Sequence, residues 1–366
     1  MKNILILTAG YGEGHNSAAR GIRDGLRKIA PEGVHVELHD LFSDTYGIVN
    51  DWARVLYMGM INRTPRVWAV IYRWLDRQTD FVGDFRVFLA LKNYLRRLLE
   101  RLQPDVIVSV YPAYSHMLDE MFGRSGAPQY KRVVVVTDSI SVNAIWYQCS
   151  ADYFILPNEV SAEILLQAGI PSQKVKTFGF PVNPIFAQPG EFRPPPSSES
   201  GRRVLYIINA ANSSAPQLVR RLADLHDIQL TVTVGRNAGL KVSVDKIRRT
   251  VTQEFETVAW SDELPRLLRA NHLVISKAGG ATVQEAMCAG CPVIVNHVIP
   301  GQEEGNARYI METNSGTIAL TNDAVIAAVQ KAFANDAAQW REWASNIRHL
   351  GRPTASLDIA EFLLSL

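Results

Sequence analysis

Two doubly wound α/β domains joined by a linker are the fold class that this sequence predicts, and three observations predict it. Short β-branched runs alternate with longer helical patterns along nearly the whole chain, as in parallel sheets built from βαβ units. Residues 188–203, QPGEFRPPPSSESGRR, interrupt that alternation with proline, serine and charge, a composition that favours extended or flexible backbone. The third is size: 366 residues with 47% hydrophobic content exceed what a single core of roughly 250–300 residues accommodates.

The elements follow in order. Residues 3–8 form the first expected strand, because MKNILILTAG carries one lysine and a short apolar run that passes directly into a glycine loop, unlike a signal peptide. Further strands are expected over residues 34–38, 105–110, 132–137 and 153–156. The unbroken apolar run at 133–136 marks a parallel strand covered on both faces. Beyond the linker the pattern restarts, with strands over 203–209, 229–234, 257–260, 273–276 and 292–296, each followed by a helical stretch. The expected domains are 1–187 and 204–366, with the last helix a candidate to pack back onto the first of them.

Bulk properties narrow the function. A net charge of +2, from 38 basic and 36 acidic residues, argues against a nucleic-acid partner met through overall charge. Cys149, Cys288 and Cys291 provide no disulfide framework and fit a reducing, cytoplasmic compartment. Cys288 and Cys291 form a CxxC with no second pair to complete a zinc site, so packed thiols are expected and no metal. No run of about 18 apolar residues is present to span a bilayer, so any membrane contact is expected to be peripheral.

Chemistry concentrates in the second half. From residue 273 a strand runs through Lys277, Ala278, Gly279, Gly280 and Ala281 into a helix expected to begin near Thr282. Glycines admit close backbone approach, and the free amides and positive dipole end of a helix start favour an anion such as a diphosphate. Lys277 adds a point charge. Thr282-x-x-Glu285 reads in two ways: a capping box closing the helix start, or a carboxylate for ribose hydroxyls beside the diphosphate. Downstream, Gln302, Glu303 and Asn306 cluster after an apolar strand, where ligands of open α/β sheets bind, and offer amides and carboxylates to a sugar.

These segments, read together, resemble the monogalactosyldiacylglycerol synthase and processive diacylglycerol glucosyltransferase family, related to the lipid-linked GlcNAc transferase of peptidoglycan synthesis. KAGGATVQEAMCAGCPVIVNHVIPGQEEGNARYI is similar throughout to the family's donor-site block, and VGRN at 234–237 and AWSDELP at 259–265 resemble two segments that precede it. In the first half GYGEGHNSAA at 10–19, VVTD at 135–138 with Trp146, and 169–182 resemble three more. The resemblance implies a GT-B fold, two Rossmann-like domains facing a central cleft, and inverting transfer from a UDP-sugar such as UDP-glucose or UDP-galactose without an obligatory metal or other cofactor. It implies that Lys277, Gly279 and Gly280 hold the diphosphate, Glu285 the ribose, and Gln302 with Glu303 the sugar. Trp260 is implied to lie against the uracil, with Arg236 and Asn237 as further donor candidates.

In the first half, Gly12 and Gly14 sit in an expected turn over residues 10–14, with a helix opening near Ser17 and placing His15 at the top of the sheet. Transfer to an alcohol requires the acceptor proton to leave as the oxygen attacks, and an imidazole titrating near neutrality suits that task, so His15 is the expected general base. Asn16, Thr137 and Asp138 complete the expected acceptor loop.

Between residues 45 and 101 ten Lys/Arg stand against five Asp/Glu, interleaved with aromatic rings. Arg66, Arg73 and Arg77 share one helical face, while Trp74 falls with apolar neighbours on another. With Trp52 and Trp68 they make a candidate interfacial helix for an anionic membrane, pointing to diacylglycerol or a related lipid as acceptor. An ordinary amphipathic helix is the other reading, and Phe88, Leu91, Leu95, Leu98 and Leu102 supply a core stripe of that kind. Two departures from the family pattern stand out: Asn143 replaces a histidine, and residues 209–215 replace a glycine-rich turn. A UDP-sugar epimerase and a non-catalytic UDP-sugar sensor are the competing functions, the first leaving the basic aromatic block without a purpose.

Overall fold

The computed structural model describes residues 1–10, 13–47, 87–123, 130–189, 193–197, 201–209, 214–261, 263–300 and 303–366. It divides into one unit of Met1–Pro184 with Arg352–Leu366 and another of Ile185–Ile299 with Glu303–Gly351.

The first unit runs β1 (Lys2–Thr8), α1 (Glu13–Ile29), β2 (Val34–Asp40), α2 (Leu41–Tyr46), α3 (Val87–Leu102), β3 (Val106–Ser109), α4 (Pro112–Phe122), β4 (Lys131–Val135), β5 (Tyr153–Leu156), α5 (Glu159–Gln167) and β6 (Val175–Thr177). Its strands pair in parallel in the order β2-β1-β3-β4-β5-β6. Leu5 and Leu7 of β1 and Ile107 of β3 pack against Leu91, Leu95 and Leu98, the apolar stripe of α3, with Phe88 and Leu102 partly buried beside them.

The second unit runs β7 (Arg202–Ile207), α6 (Ala215–Ala223), β8 (Ile228–Gly235), α7 (Ala238–Arg248), β9 (Glu256–Ala259), α8 (Leu264–Ala270), β10 (Leu273–Lys277), α9 (Gly280–Cys288), β11 (Val293–His297), α10 (Glu304–Glu312), β12 (Gly316–Ile318) and α11 (Asn322–Leu350). Its sheet is parallel too, in the order β12-β11-β10-β7-β8-β9. Tyr206, Val232, Ile275 and Ile294 from the strands meet Trp340 and Trp343 of α11 in one core. That helix is broken at Ala334–Ala337, where Asn335, Asp336 and Ala337 have φ of +51°, +55° and +56°.

The last helix, α12 (Ala355–Ser365), belongs to the first unit and lies against α1. The approach is possible because α1 carries a glycine, Gly25, where the two helices meet, and a second, Gly21, one turn earlier admits the chain at Pro181. A Cβ at Gly25 would sit 2.3 Å from the Ser356 carbonyl oxygen, and one at Gly21 would sit 1.9 Å from that of Pro181.

Both sheets reverse direction once. β1 lies between β2 and β3, and β10 next to β7, so each sheet has a switch point where crossovers diverge and a crevice opens at the carboxyl ends of the strands. Strand ends lie within two residues of expectation, β5 matching at both ends, and β6 and β12 escape the sequence reading because three-residue edge strands are too short to show a period.

Three expectations need correction. Helix α1 starts at Glu13 rather than near Ser17, its acidic first turn suiting the positive end of the helix dipole. Helix α9 starts at Gly280, two residues before Thr282. The linker is not loose throughout: Arg193 is buried, and its guanidinium donates to the carbonyls of Leu268 at 3.2 Å, Arg269 at 3.0 Å, Ala289 at 3.3 Å, and Gly290. Arg203, taken as the linker's last residue, lies within β7. Trp52, Arg66, Trp68, Arg73, Trp74 and Arg77 fall outside the described residues, as do Gly12 and Gln302. Among the described residues no helix is long and apolar enough to cross a membrane.

Candidate active site

Each unit presents chemistry at the carboxyl end of its sheet. In the first, β1 ends at Thr8, and the segment after it begins with the Gly10 amide donating to Asp40 Oδ2 at 2.8 Å. The chain then turns into α1, whose first turn carries His15 and Asn16. Asn16 Oδ1 accepts from Thr8 Oγ1 at 2.9 Å, locking helix start to strand end. Nothing lies within 4 Å of a Cβ built on Gly14.

His15 is held from the neighbouring strands. Its Nδ1 lies 2.8 Å from the carbonyl oxygen of Val110, just past β3, and 3.0 Å from Thr137 Oγ1, just past β4. A carbonyl only accepts, so Nδ1 carries the proton and donates, which leaves the lone pair on Nε2. Tyr111 meets the ring edge-on at a centroid distance of 5.3 Å, and Trp146 lies tilted at 6.0 Å. Enclosure lowers the imidazole pKa to about 4, the Val110 carbonyl opposing this only in part. The expectation of an imidazole titrating near neutrality is therefore overturned by burial: His15 is neutral, in its base form, across the physiological range.

Asp138 accepts from Trp146 Nε1 at 2.8 Å, and burial raises its carboxyl to about 6. Asn143, the departure from the family pattern, caps a short 3-10 turn, Ala144–Trp146, by accepting from the Ile145 amide at 2.9 Å. It thereby sets the Trp146 ring between Asp138 and His15. Val110, Tyr111 and Trp146 were not singled out as partners of His15, because the register that brings β3 and β4 beside β1 is not visible in residue order.

In the second unit α9 starts where β10 ends. Gly279 is its N-cap, with extended backbone and no side chain to cap the helix, so the first amides face outward. Thr282 lies inside the first turn, which removes the capping-box reading: Thr282 is not the N-cap that such a box requires. Glu285 is buried on the same helix. Lys277 Nζ pairs with Glu303 Oε1, and Glu303 Oε2 accepts from the Ile299 amide at 3.1 Å. Lys277 is thus held beside the helix start, 3.2 Å from where a Gly279 Cβ would stand. Glu303 is buried and committed to that pair. Asn306 Nδ2 donates to the buried Ala278 carbonyl at 3.0 Å, tying α10 to the glycine loop. Ala281 is buried, while Gly279, Gly280 and Thr282 are partly exposed.

Further along the same edge the exposed Trp260 ring carries the Arg236 guanidinium stacked at 4.1 Å. Asn237 caps α7, accepting from the Leu240 amide at 2.9 Å, which accounts for it structurally. The arrangement offers an anion a helix start and a cation, and a flat base an exposed aromatic surface.

Comparison with known proteins agrees with this division. Residues 15–182 match the model described as monogalactosyldiacylglycerol (MGDG) synthase, and residues 203–348 match the glycosyltransferase family 28 C-terminal domain. The chain is 26% identical to a probable monogalactosyldiacylglycerol synthase 2, chloroplastic, of Oryza sativa subsp. japonica, across 98% of this chain and 80% of that one. It is 25% identical to a processive diacylglycerol beta-glucosyltransferase of Bacillus subtilis, across 99% and 95%. The fold matches that of Acinetobacter baumannii MurG with a TM-score of 0.63 at 12% identity, covering all of both chains, which places the chain among GT-B proteins.

Proposed function

The chain belongs to the monogalactosyldiacylglycerol synthase family of glycosyltransferases, and on that premise we propose that it moves a hexose from UDP-glucose or UDP-galactose to a lipid hydroxyl, that of diacylglycerol or a glycosyldiacylglycerol. It is a UDP-sugar-dependent hexosyltransferase; the sugar, the acceptor and the roles below are our reading. The observation that carries the reading is the Val110 carbonyl fixing Nδ1 of His15 as donor, which leaves Nε2 as a base.

In the proposed reaction the acceptor hydroxyl gives its proton to Nε2 as its oxygen bonds to the anomeric carbon. The bond from that carbon to the diphosphate breaks from the opposite face, so configuration inverts and UDP leaves. Negative charge growing on the leaving oxygen is met by the α9 amides and Lys277, which supply stabilisation without an obligatory metal. Glu285 takes the ribose, Trp260 and Arg236 the base, and Gln302, Glu303 and Asn306 border the sugar. The basic aromatic segment around Trp68 and Trp74 holds the protein on the inner face of an anionic membrane, where the acceptor resides.

The test is UDP release from a panel of UDP-sugars, with and without diacylglycerol-containing anionic vesicles, for the native protein and His15→Ala. The expected result is release that requires the vesicles and falls at least about a hundredfold in the variant. Release without any acceptor, or full turnover in His15→Ala, refutes the proposal.

A further inference from the structure

Ile140 has φ of +72°, and among the described residues it is the one β-branched side chain with positive φ. That backbone is costly for a branched side chain and persists only where neighbours hold it. The Ser141 amide donates to the Ser139 carbonyl at 2.9 Å, so residues 139–141 close a γ-turn of the strained kind. The turn directly follows Thr137 and Asp138.

Its holders come from the start of α5. Ser161, wholly buried, accepts from the Ile140 amide through Oγ at 3.1 Å. Asn158 Oδ1 accepts from the Ser161 amide at 2.9 Å, which fixes the orientation of the side-chain amide, and Nδ2 donates to the buried Ser139 Oγ at 2.9 Å. Capping α5 needs Oδ1 alone; the second arm of Asn158 and the Ser161 hydroxyl serve the turn. Beyond the turn, Val142 and Trp146 pack with Ala162 and Leu165 of the same helix. His116 of α4 donates through Nε2 to the Ile145 carbonyl at 2.8 Å.

Residues 138–145 therefore leave His15 at Thr137, whose Oγ1 stands 3.0 Å from Nδ1, and return to it at Trp146, with ring centroids 6.0 Å apart. The strained turn reverses the chain between these two contacts, next to Asp138, the carboxylate that accepts from Trp146 Nε1. We infer that Asn158 and Ser161 are positioning residues for the transfer: by holding Ile140 in the turn, they keep Thr137 against His15 and Asp138 against Trp146. The inference rests on the reading of His15 as the base. Neither residue touches a reacting group; both act through the backbone of 139–141.

The experiment measures kcat and donor KM of vesicle-dependent UDP release for the native protein, Asn158→Ser, Ser161→Ala, and Asn158→Ser with Ile140→Gly added. Asn158→Ser keeps a good cap for α5 and loses the arm to Ser139. Ile140→Gly removes the strain, because glycine adopts positive φ at no steric cost, so the turn closes without its holders. The indole N–H signal of Trp146, followed by NMR in tryptophan-labelled protein and assigned with Trp146→Phe, reports the Asp138 contact without any turnover. Expected are a fall in kcat of about tenfold in each single variant, as loss of one hydrogen bond implies, an unchanged donor KM and a displaced indole signal. Adding Ile140→Gly to Asn158→Ser restores both kcat and the signal. Losses that Ile140→Gly does not recover mark a role confined to capping α5 and overturn the inference, as does an unmoved signal or an unmoved kcat in both single variants. Native protein without vesicle-dependent release refutes the base assignment instead, and the indole signal then decides alone whether the two residues hold the turn.

Discussion

A base whose pKa is near 4 should leave a different mark on the pH–rate profile from one near 6.5. His15 acts only when Nε2 is unprotonated, and kcat/KM reports the free enzyme. At pH 5.5 an imidazole with the ordinary value of 6.5 is about one-tenth unprotonated, whereas one near 4 is almost wholly so. The predicted kcat/KM at pH 5.5 is therefore close to its value at pH 7, a difference of about tenfold between the two cases. The assay is initial-rate UDP release from pH 4.5 to 8 at subsaturating donor, with samples returned to pH 7 to separate titration from acid inactivation. Asp138, whose carboxyl lies at about 6 and which accepts from the Trp146 ring beside His15, also titrates in this window, so the profile is repeated in Asp138→Asn. An acid limb centred near 6.5 that persists in Asp138→Asn refutes the argument that burial sets the His15 proton affinity.

Three further outcomes follow from the geometry. His272 is buried, accepts from the Arg203 amide through Nδ1 and donates to the Pro194 carbonyl, and burial lowers its pKa to about 4. The unfolded chain binds this proton first, so stability is full above about pH 6.5 and falls by roughly 3 kcal/mol as pH drops to about 4. Urea unfolding at pH 7 and 4.5 measures the loss, which His272→Gln should diminish. Gly21→Ala and Gly25→Ala thrust a methyl group into carbonyl oxygens and should each lower the thermal midpoint by the equivalent of about 1–3 kcal/mol or more; an unchanged midpoint contradicts the close approach. Lys277→Ala should weaken UDP affinity about tenfold and destabilise the fold by stranding the buried Glu303 carboxylate. Adding Glu303→Gln should then restore stability but not affinity, as calorimetry and melting curves on the two variants will show.

The class of fold was legible because β-branched runs such as that at 133–136 mark buried parallel strands whatever surrounds them. The Leu91, Leu95 and Leu98 stripe was legible for the same reason, its period being helical and its partner a core. Residue order does not encode register. That is why Val110 and Thr137 as holders of His15, and Glu303 as holder of Lys277, emerged only when the strands were side by side. The composition of 188–203 misled for a different reason: proline and serine report local backbone preference, while Arg193 is fixed by helix ends some 75 to 97 residues away.

The docking of α12 on α1 has a consequence for how the protein is made. A ribosome delivers residues 185–351 as one uninterrupted piece holding every strand of the second sheet, so that unit can close as soon as it emerges. The first unit, although translated earlier, leaves the Gly25 face of α1 uncovered until Ala355–Ser365 arrives. The usual order, in which the earlier domain completes first, is reversed here, and the species a chaperone would meet is a first unit whose six strands are all made but whose α1, the helix that carries His15, is still uncovered.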